Sequence, residues 1–473
     1  MTKIEITGDI KDKKFHFIAI GGIGMSGLAK YLIEAGCEVS GSDIEKSKYT
    51  EKLEKIGAKV YIGHCADYIK PDMIVIASTA IRSTNPEVVR AKELGLEVYH
   101  RSDLLSYISR QFKDKTFFGF SGTHGKTTTS GLCSFILDKI GENPSFVVGG
   151  YVPELNTNAR HGSKEYFAAE LDESDGTIVK YTPSINVINN LELDHTDFYS
   201  DGFQGILNTF SKFLSGFDET SKNIINIDNA GSRSLIENNK NKKFITFGID
   251  NPANYIAKNI RYADLGSTFV VEKSCYGEVQ NLGEIQMTIP GKHNVYNALA
   301  VIAALVERGF EFNKIAPYFK EFTGMGRRFQ KIAEFDNITI IDDYAHHPSE
   351  IKTTLDSVKE LSNRTVAIFQ PHRYTRLQNF WDEFLTSFDS VDKLIVLDVY
   401  GASEDYIEGI TSENFAAKLN HKDSVWVGGS IEEACKKILP MLKPYDIVLT
   451  LGAGSVTKVG QTLKELHEKR VMK

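Results

Sequence analysis

With 473 residues, 41% of them hydrophobic and 25% charged, the chain has the make-up of an ordinary globular protein. It is too long for one core, because single cores rarely grow beyond ~250–300 residues, so about three domains are expected. The net charge of −7 provides no broad basic field for nucleic acid, no apolar run is long enough to span a bilayer, and the five cysteines are scattered without a C-x-x-C pair. With no apolar signal core at the N-terminus, reduced thiols and a cytoplasmic location are expected.

Lys14 to Ile20 reads as a buried strand closed by Gly21-Gly22-Ile23-Gly24-Met25-Ser26-Gly27, followed by a helical stretch to Gly36 and a second strand ending at Asp43. Gly22, Gly24 and Gly27 form a G-x-G-x-x-G between strand and helix. Such a unit cradles a diphosphate at the helix N-terminus and can set a carboxylate, here Asp43, on a ribose hydroxyl. The motif alone does not name the nucleotide, and NAD is the default. Asp72 to Ser78 and Leu96 to Tyr99 read as further strands, and the polar stretch from Ser106 to Lys115 marks a domain boundary.

The apolar run Thr116 to Phe120 leads into Ser121-Gly122-Thr123-His124-Gly125-Lys126-Thr127-Thr128-Thr129 and a helical stretch to Ile140. Glycines at a strand-to-helix turn let backbone N–H groups crowd a polyphosphate, Lys126 adds a mobile charge, and Thr127 offers a hydroxyl to Mg2+. Phe120 stands where the usual G-x-x-x-x-G-K-[ST] has its first glycine. A plain glycine turn is the alternative, but Gly-Lys-Thr in this frame points to a nucleoside triphosphate.

Strands are expected at Tyr166 to Glu170, Ile185 to Asn189, Asn223 to Ile227 and Phe244 to Phe247. Glu170, Asp172, Glu173 and Asp175 put four acids in six residues at a strand end. A bound cation would relieve their repulsion; a solvated loop is the alternative. Asp194-His195-Thr196-Asp197 follows the next strand, again at a carboxyl end where doubly wound folds place ligands. Histidine is an unusual partner for Mg2+. Alternating apolar residues at Ser267 to Val271 and Ile285 to Ile289 suggest hairpins, and Pro290-Gly291-Lys292-His293-Asn294 opens a long apolar helix to Arg308.

Gly326-Arg327-Arg328-Phe329 lies at the next junction. Beyond it, strands at Ile338 to Ile341, Thr365 to Phe369, Lys393 to Leu397, Ser424 to Val427 and Ile447 to Leu451 alternate with helical runs such as Pro348 to Leu361 and Asn379 to Phe388. Repeated strand–helix alternation implies mostly parallel, doubly wound sheets. Asp342-Asp343-Tyr344-Ala345-His346-His347-Pro348 follows one of these strands, and Gln370-Pro371-His372-Arg373-Tyr374-Thr375-Arg376 another. Arg373 and Arg376, three apart, would share a face on a helical turn and could clamp an anion.

Taken in order, FHFIAIGGIGMSGLA, EVSGSD, SGTHGKTTT, ELDESDG, NNLELDHTD, PGKHNVYNALA, GRRFQ, DDYAHHPSEI and FQPHRYTR resemble the Mur ligases, the ATP-dependent amide-forming enzymes of peptidoglycan precursor synthesis. They are most similar to the branch that adds the first amino acid. The resemblance implies an α/β fold of three domains: an N-terminal Rossmann-like domain for the UDP-sugar (1–108), a central P-loop ATPase-type parallel sheet (109–323) and a C-terminal Rossmann-like α/β domain for the amino acid (324–473). It implies UDP-N-acetylmuramate and L-alanine as substrates, with ATP and Mg2+ (or Mn2+), no nucleic acid and no membrane partner. It leaves the oligomeric state open.

By the same resemblance, Gly22, Ile23, Gly24, Met25, Ser26 and Asp43 hold the UDP-sugar rather than NAD. Gly122, Thr123, His124, Gly125, Lys126, Thr127 and Thr128 hold the ATP phosphates, Thr127 and Glu170 one magnesium, and His195 is the histidine of a second metal site. His293 and Asn294 meet the adenine side, Arg327 the phosphates, and Asp342 or Asp343 the ribose. Tyr344, His347, Arg373 and Arg376 form the amino acid pocket. Lys126, Glu170, His195, Arg327 and His347 carry the chemistry, with His347 the candidate base and His346 open beside it. Gly454-Ser455 departs from the family pattern, which has an acid after the glycine. The rival readings are a recycling ligase that adds a whole peptide to the same sugar, a nucleotide-dependent oxidoreductase and a non-enzymatic ATP switch.

Overall fold

The computed structural model describes residues 10–78, 81–195, 198–263, 266–275, 277–358, 364–402 and 404–471. Thr196, Asp197 and the end of the expected helix beyond 358 lie outside them. The chain divides into two compact units, Met1–Asn259 with Phe269–Ile285 and Tyr296–Phe319, and Ile260–Thr268 with Gln286–Val295 and Lys320–Lys473.

The first unit opens with a five-stranded parallel sheet: β1 (Lys14–Ile18), β2 (Glu38–Asp43), β3 (Lys59–Ile62), β4 (Met73–Ala77) and β5 (Val98–His100), in the order β3-β2-β1-β4-β5. Helices α1 (Ile23–Glu34), α2 (Lys48–Lys55), α3 (Pro86–Glu93) and α4 (Arg101–Arg110) connect or follow these strands. The order reverses direction at β1, where the glycine loop leaves the sheet, and that is where doubly wound folds bind ligands. Phe15 and Phe17 on β1 and Leu28 and Leu32 on α1 are buried in one core. Residue 108 lies inside α4, so the expected first boundary cuts a helix; the chain leaves the helix only at Gln111.

The second sheet is mixed. Its strands are β6 (Thr116–Ser121), β7 (Pro144–Val152), β8 (Thr157–Arg160), β9 (Ser163–Glu170), β10 (Ile185–Ile188), β11 (Lys222–Asn226), β12 (Phe244–Gly248), β13 (Tyr255–Ala263), β14 (Gly266–Cys275) and β15 (Glu278–Met287), in the order β15-β14-β13-β12-β11-β10-β6-β9-β7-β8. The run from β12 through β10, β6 and β9 to β7 is parallel, and β8 is antiparallel to β7. Every residue of β6 is buried, which is why it reads as an unbroken apolar run. Helix α5 (Lys126–Lys139) follows it and is buried on nearly all sides.

The second unit holds a six-stranded sheet of β16 (Gln330–Phe335), β17 (Ile338–Asp343), β18 (Thr365–Phe369), β19 (Lys393–Val396), β20 (Ser424–Trp426) and β21 (Ile447–Leu451), in the order β16-β17-β21-β18-β19-β20. Only β16 is antiparallel to its neighbour, so the α/β expectation holds with a reversed edge strand. The carboxyl ends of β17, β18 and β21 lie side by side, which gathers the loops after Asp343, Phe369 and Leu451.

Candidate active site

In the first unit the glycine loop turns from β1 into α1 with no side chain capping the helix, Gly22 being the cap residue. The first-turn N–H groups are therefore unclaimed by a side-chain cap, as an anion cradle requires. Asp43 Oδ2 accepts from Gly21 N at 2.8 Å, so this carboxylate braces the loop it was expected to serve. Ser26 donates its hydroxyl to Ile23 O at 3.1 Å, and Met25 is buried. A Cβ on Gly24 would stand 3.5 Å from Arg101 Nη1, so Arg101, at the start of α4, borders this loop.

The second phosphate loop is fixed by side chains from the end of β10. His124 N donates to Asn190 Oδ1 at 2.8 Å, and Asn189 and Asn190 both donate to His124 O at 3.2 Å. Gly125 has φ +84°, and a Cβ there would meet Asn297 Oδ1 at 2.5 Å, so this position demands glycine. Gly122, at φ +117°, lies against the Asn190 backbone for the same reason. Thr123 exchanges bonds with Glu192 N and O, and Thr128 is buried in the first turn of α5.

Lys126 Nζ donates to Gly122 O at 2.7 Å, Thr123 O at 3.0 Å and Glu173 Oε1 at 3.0 Å. Burial disfavours its charge, but Glu173, Asp172 and Glu170 outweigh that and hold the ammonium's pKa above its ordinary value. Glu173 is pushed up by its own burial in spite of Lys126. The 3.0 Å contact makes an ion pair the better description of the two, with the ammonium charged. Burial also opposes the Asp172 charge, yet Lys126 and Arg101 hold its pKa well below the usual carboxylate range. Arg101 Nη2 donates to Asp172 Oδ2 at 2.6 Å.

Glu170 Oε2 accepts from the Thr127 hydroxyl at 2.8 Å and from Gly149 N at 2.9 Å. Gly24, Arg101, Gly149, Glu170 and Asp172 line one cleft, so the first glycine loop and the acidic loop share it. His195, in the left-handed region at φ +51°, turns Nε2 toward Asp194 at 3.7 Å and Glu173 at 3.9 Å. Asp197, its expected neighbour, lies outside the described residues.

In the second unit the expected site residues are bonded to one another and to the backbone. Arg327 is committed to Asp342 Oδ2 (3.1 Å), Gly452 O (2.6 Å) and Ala453 O (3.3 Å). The pKa of His293 falls to about 4 through burial and then through the charge of Arg328. Asn294 spends its amide on Pro290 O at 2.7 Å. Both aspartate carboxylates are bonded within the protein. Asp342 also accepts from Thr450 and Thr457, while Asp343 accepts from Phe329 N, Ala345 N and Thr354. Burial raises Asp343 to about 6.

His347 proves to be the cap of the helix Pro348–Asp356. Its Nδ1 accepts from Ser349 N at 3.4 Å, and Glu350 completes a capping box. The ring of His346 lies 5.0 Å from Tyr344 and 5.9 Å from His372. Arg376 Nη1 donates to His372 Nδ1 at 3.1 Å. Burial lowers His346 to about 4 and His372 to about 3, so both rings are neutral near pH 7. Arg373 does not share a helical face with Arg376, because it precedes the helix Tyr374–Asn379 at φ +71° and pairs with Glu404 at 2.7 Å. Ser455, in place of an acid, bonds Gln370 and so ties the loop after β21 to the loop after β18.

Family descriptions match the chain in succession: the Mur ligase family catalytic domain over 14–113, the Mur ligase middle domain over 120–305, and the Mur ligase glutamate ligase domain over 327–454. A UDP-N-acetylmuramate–L-alanine ligase of Geotalea uraniireducens is 41% identical across 96% of this chain and 98% of its own length. The chain belongs to the Mur ligase family. A ligase of the same name from Pelobacter propionicus is 40% identical over 97% of this chain and 99% of its own. Among solved Mur ligases, UDP-N-acetylmuramate–alanine ligase MurC from Thermotoga maritima aligns with a TM-score of 0.80 at 28% identity, covering 97% of this chain and 99% of that one. MurF ligase from the same organism, solved with ADP, shares the fold with a TM-score of 0.62 at 15% identity, covering 98% of this chain and 100% of that one.

Magnesium is the ion the Mur ligase resemblance implies. The adjacent Thr127 hydroxyl and Glu170 carboxylate are hard oxygen donors and fit it, with phosphates and water to complete the shell. His195 faces Glu173 and Asp194 instead, and among the described residues no three His, Cys, Asp or Glu side chains are grouped to hold a metal. Arg101, Asn189, Asn297, Arg328 and His372 also contact the loops described above. All but Arg101 sit inside motifs already quoted; Arg101 announces itself only through contacts distant in the chain.

Proposed function

We propose that this Mur ligase joins L-alanine to the lactyl carboxylate of UDP-N-acetylmuramate with ATP, giving UDP-N-acetylmuramoyl-L-alanine, ADP and phosphate in cytoplasmic peptidoglycan precursor synthesis. The observation that carries this reading is the end-to-end match, 41% identity over 96% of the chain, to a ligase bearing that activity in its name. The phosphate loop with Lys126, Thr127 and Glu170 supports the ATP part. In this reading residues 1–110, with the boundary moved to the end of α4, take the UDP-sugar, 111–323 ATP and 324–473 the amino acid.

The chemical problem is to make an amide from a carboxylate and an ammonium. The lactyl carboxylate attacks the γ-phosphorus of ATP, and Lys126 leaves Glu173 to neutralise charge on the transferring phosphoryl group. Arg327 does the same once it exchanges Asp342 and the Gly452 carbonyl for phosphate oxygens. Mg2+ or Mn2+ on Thr127 and Glu170 would supply further charge neutralisation. The acyl phosphate that results is attacked by the free amine of L-alanine, and phosphate leaves through a tetrahedral intermediate. Arg376, with Arg373 once freed from Glu404, takes the alanine carboxylate. His346, its ring 5.0 Å from Tyr344, stands beside His347 as a candidate to take the amine proton, and its lowered pKa requires the bound substrates to raise its basicity.

Phosphate release from ATP tests this directly. It should require both UDP-N-acetylmuramate and L-alanine, and omission of either should abolish it. Turnover with a tripeptide but not with L-alanine would favour the recycling rival, and turnover with ATP alone would refute both.

A further inference from the structure

Asp172 and Glu173 are consecutive residues of one loop, and each holds a cation that borders a different phosphate site. Asp172 Oδ2 accepts from Arg101 at 2.6 Å, and Arg101 stands against Gly24 of the first glycine loop. Glu173 Oε1 accepts from Lys126 of the second loop at 3.0 Å. The Glu173 side chain is 3% exposed, and its other oxygen, Oε2, is buried without a hydrogen-bond partner. A buried carboxylate left half satisfied is costly, and its one strong contact is to the lysine that ATP needs. The short link between the two acids is stiffened by Ser174 N, which donates to Asp172 Oδ1 at 3.1 Å.

Resting on the function proposed above, we infer that Asp172 and Glu173 are positioning residues that couple the two phosphate sites, parking Arg101 and Lys126 while the ligands are away. The UDP-sugar diphosphate draws Arg101 from Asp172. With Asp172 released, the Glu173 side chain withdraws from Lys126 while Tyr199 and Gly176 keep hold of its backbone carbonyl, and ATP then meets a lysine already released. Each ligand lowers the cost of binding the other, and by linkage the factor is the same in both directions.

The test is calorimetric titration of the full-length protein with a non-hydrolysable ATP analogue and Mg2+, with and without saturating UDP-N-acetylmuramate, and the reverse. In the unmodified protein each ligand should tighten the other by about 5- to 20-fold. Asp172→Asn keeps the acceptor for Ser174 N but loses the charge. It should bind UDP-N-acetylmuramate more tightly on its own, with the coupling reduced to within about twofold of unity. Arg101→Gln should weaken UDP-N-acetylmuramate binding and abolish the coupling equally while the ATP analogue alone binds at least as tightly as to the unmodified protein, which a general loss of structure would not allow. Undiminished coupling in both variants, or none in the unmodified protein, overturns the latch. Failure of the unmodified protein to bind either nucleotide overturns the functional reading beneath it.

Discussion

Gly149→Ala tests the carboxylate on which the metal assignment rests, without touching it. A Cβ at residue 149 would come within 2.3 Å of Glu170 Oε2 and 2.8 Å of its carboxyl carbon. Ordinary heavy-atom contact is about 3.5 Å, so the carboxylate must retreat by roughly 1 Å. It would then lose the 2.9 Å bond from Gly149 N and the 2.8 Å bond from Thr127. Misplacing a reacting group by about 1 Å costs on the order of 100-fold, and a lost bond to a charged group costs about 1.5–3 kcal/mol, or roughly 10- to 150-fold. Gly149 is not among the positive-φ glycines, and the obstructing atoms are the free end of a side chain, so the fold should survive. The assay is phosphate release titrated with Mg2+. The expected result is a fall in kcat/KM of about 100-fold, with half-activation moved to higher Mg2+ and thermal midpoint nearly unchanged. A variant within threefold of the parent at all Mg2+ concentrations would refute the Thr127–Glu170 metal pair.

Further expected outcomes follow from other parts of the chain. Lys126→Ala should abolish ATP turnover while circular dichroism stays native; near-normal turnover would remove Lys126 from the phosphate site. Arg376→Ala should raise KM for L-alanine by about 10- to 150-fold, the worth of one charge-assisted contact, and leave KM for ATP much less affected. His346→Ala should lower kcat far more than His347→Ala does, because His347 caps a helix; its loss should cost about 1 kcal/mol in a denaturation midpoint instead. Burial opposes the Glu307 charge, but bonds from Tyr255, Lys273 and Lys222 outweigh it and lower its pKa to about 2. A depressed carboxylate contributes stability above its unfolded value that is lost as pH falls through the folded one. Glu307→Gln should therefore cost about 1–2 kcal/mol at pH 7, and the gap should close between about pH 5 and pH 2 in urea unfolding.

The strands that read clearly in the sequence are the central, fully buried ones, such as β6, β10, β18 and β21, whose residues face apolar surroundings on both sides. The strands that escaped are edges or mixed in character. β7 starts at Pro144 and contains two glycines, β8 is the polar TNAR, and β16 is the half-polar antiparallel edge QKIAEF. In the site, the phosphate loop was legible because its chemistry is local. The acidic loop was legible as a cluster but its partners were not, because the cations arrive from 71 residues away at Arg101 and 47 away at Lys126. His346 and His347 are adjacent and alike in composition. What separates them is the helix start at Pro348 with Glu350 behind it, a capping signal present in the sequence and outweighed there by proximity to the motif. The positive φ of Arg373, which pulls it off the helical face of Arg376, has no counterpart in residue type.

The account turns on an acyl phosphate made from the lactyl carboxylate, and isotope transfer tests that step most directly. UDP-N-acetylmuramate carrying oxygen-18 in the lactyl carboxylate, turned over with ATP and L-alanine, should give released phosphate bearing one oxygen-18 atom per amide formed. Phosphate free of the label, with amide formed, would contradict it.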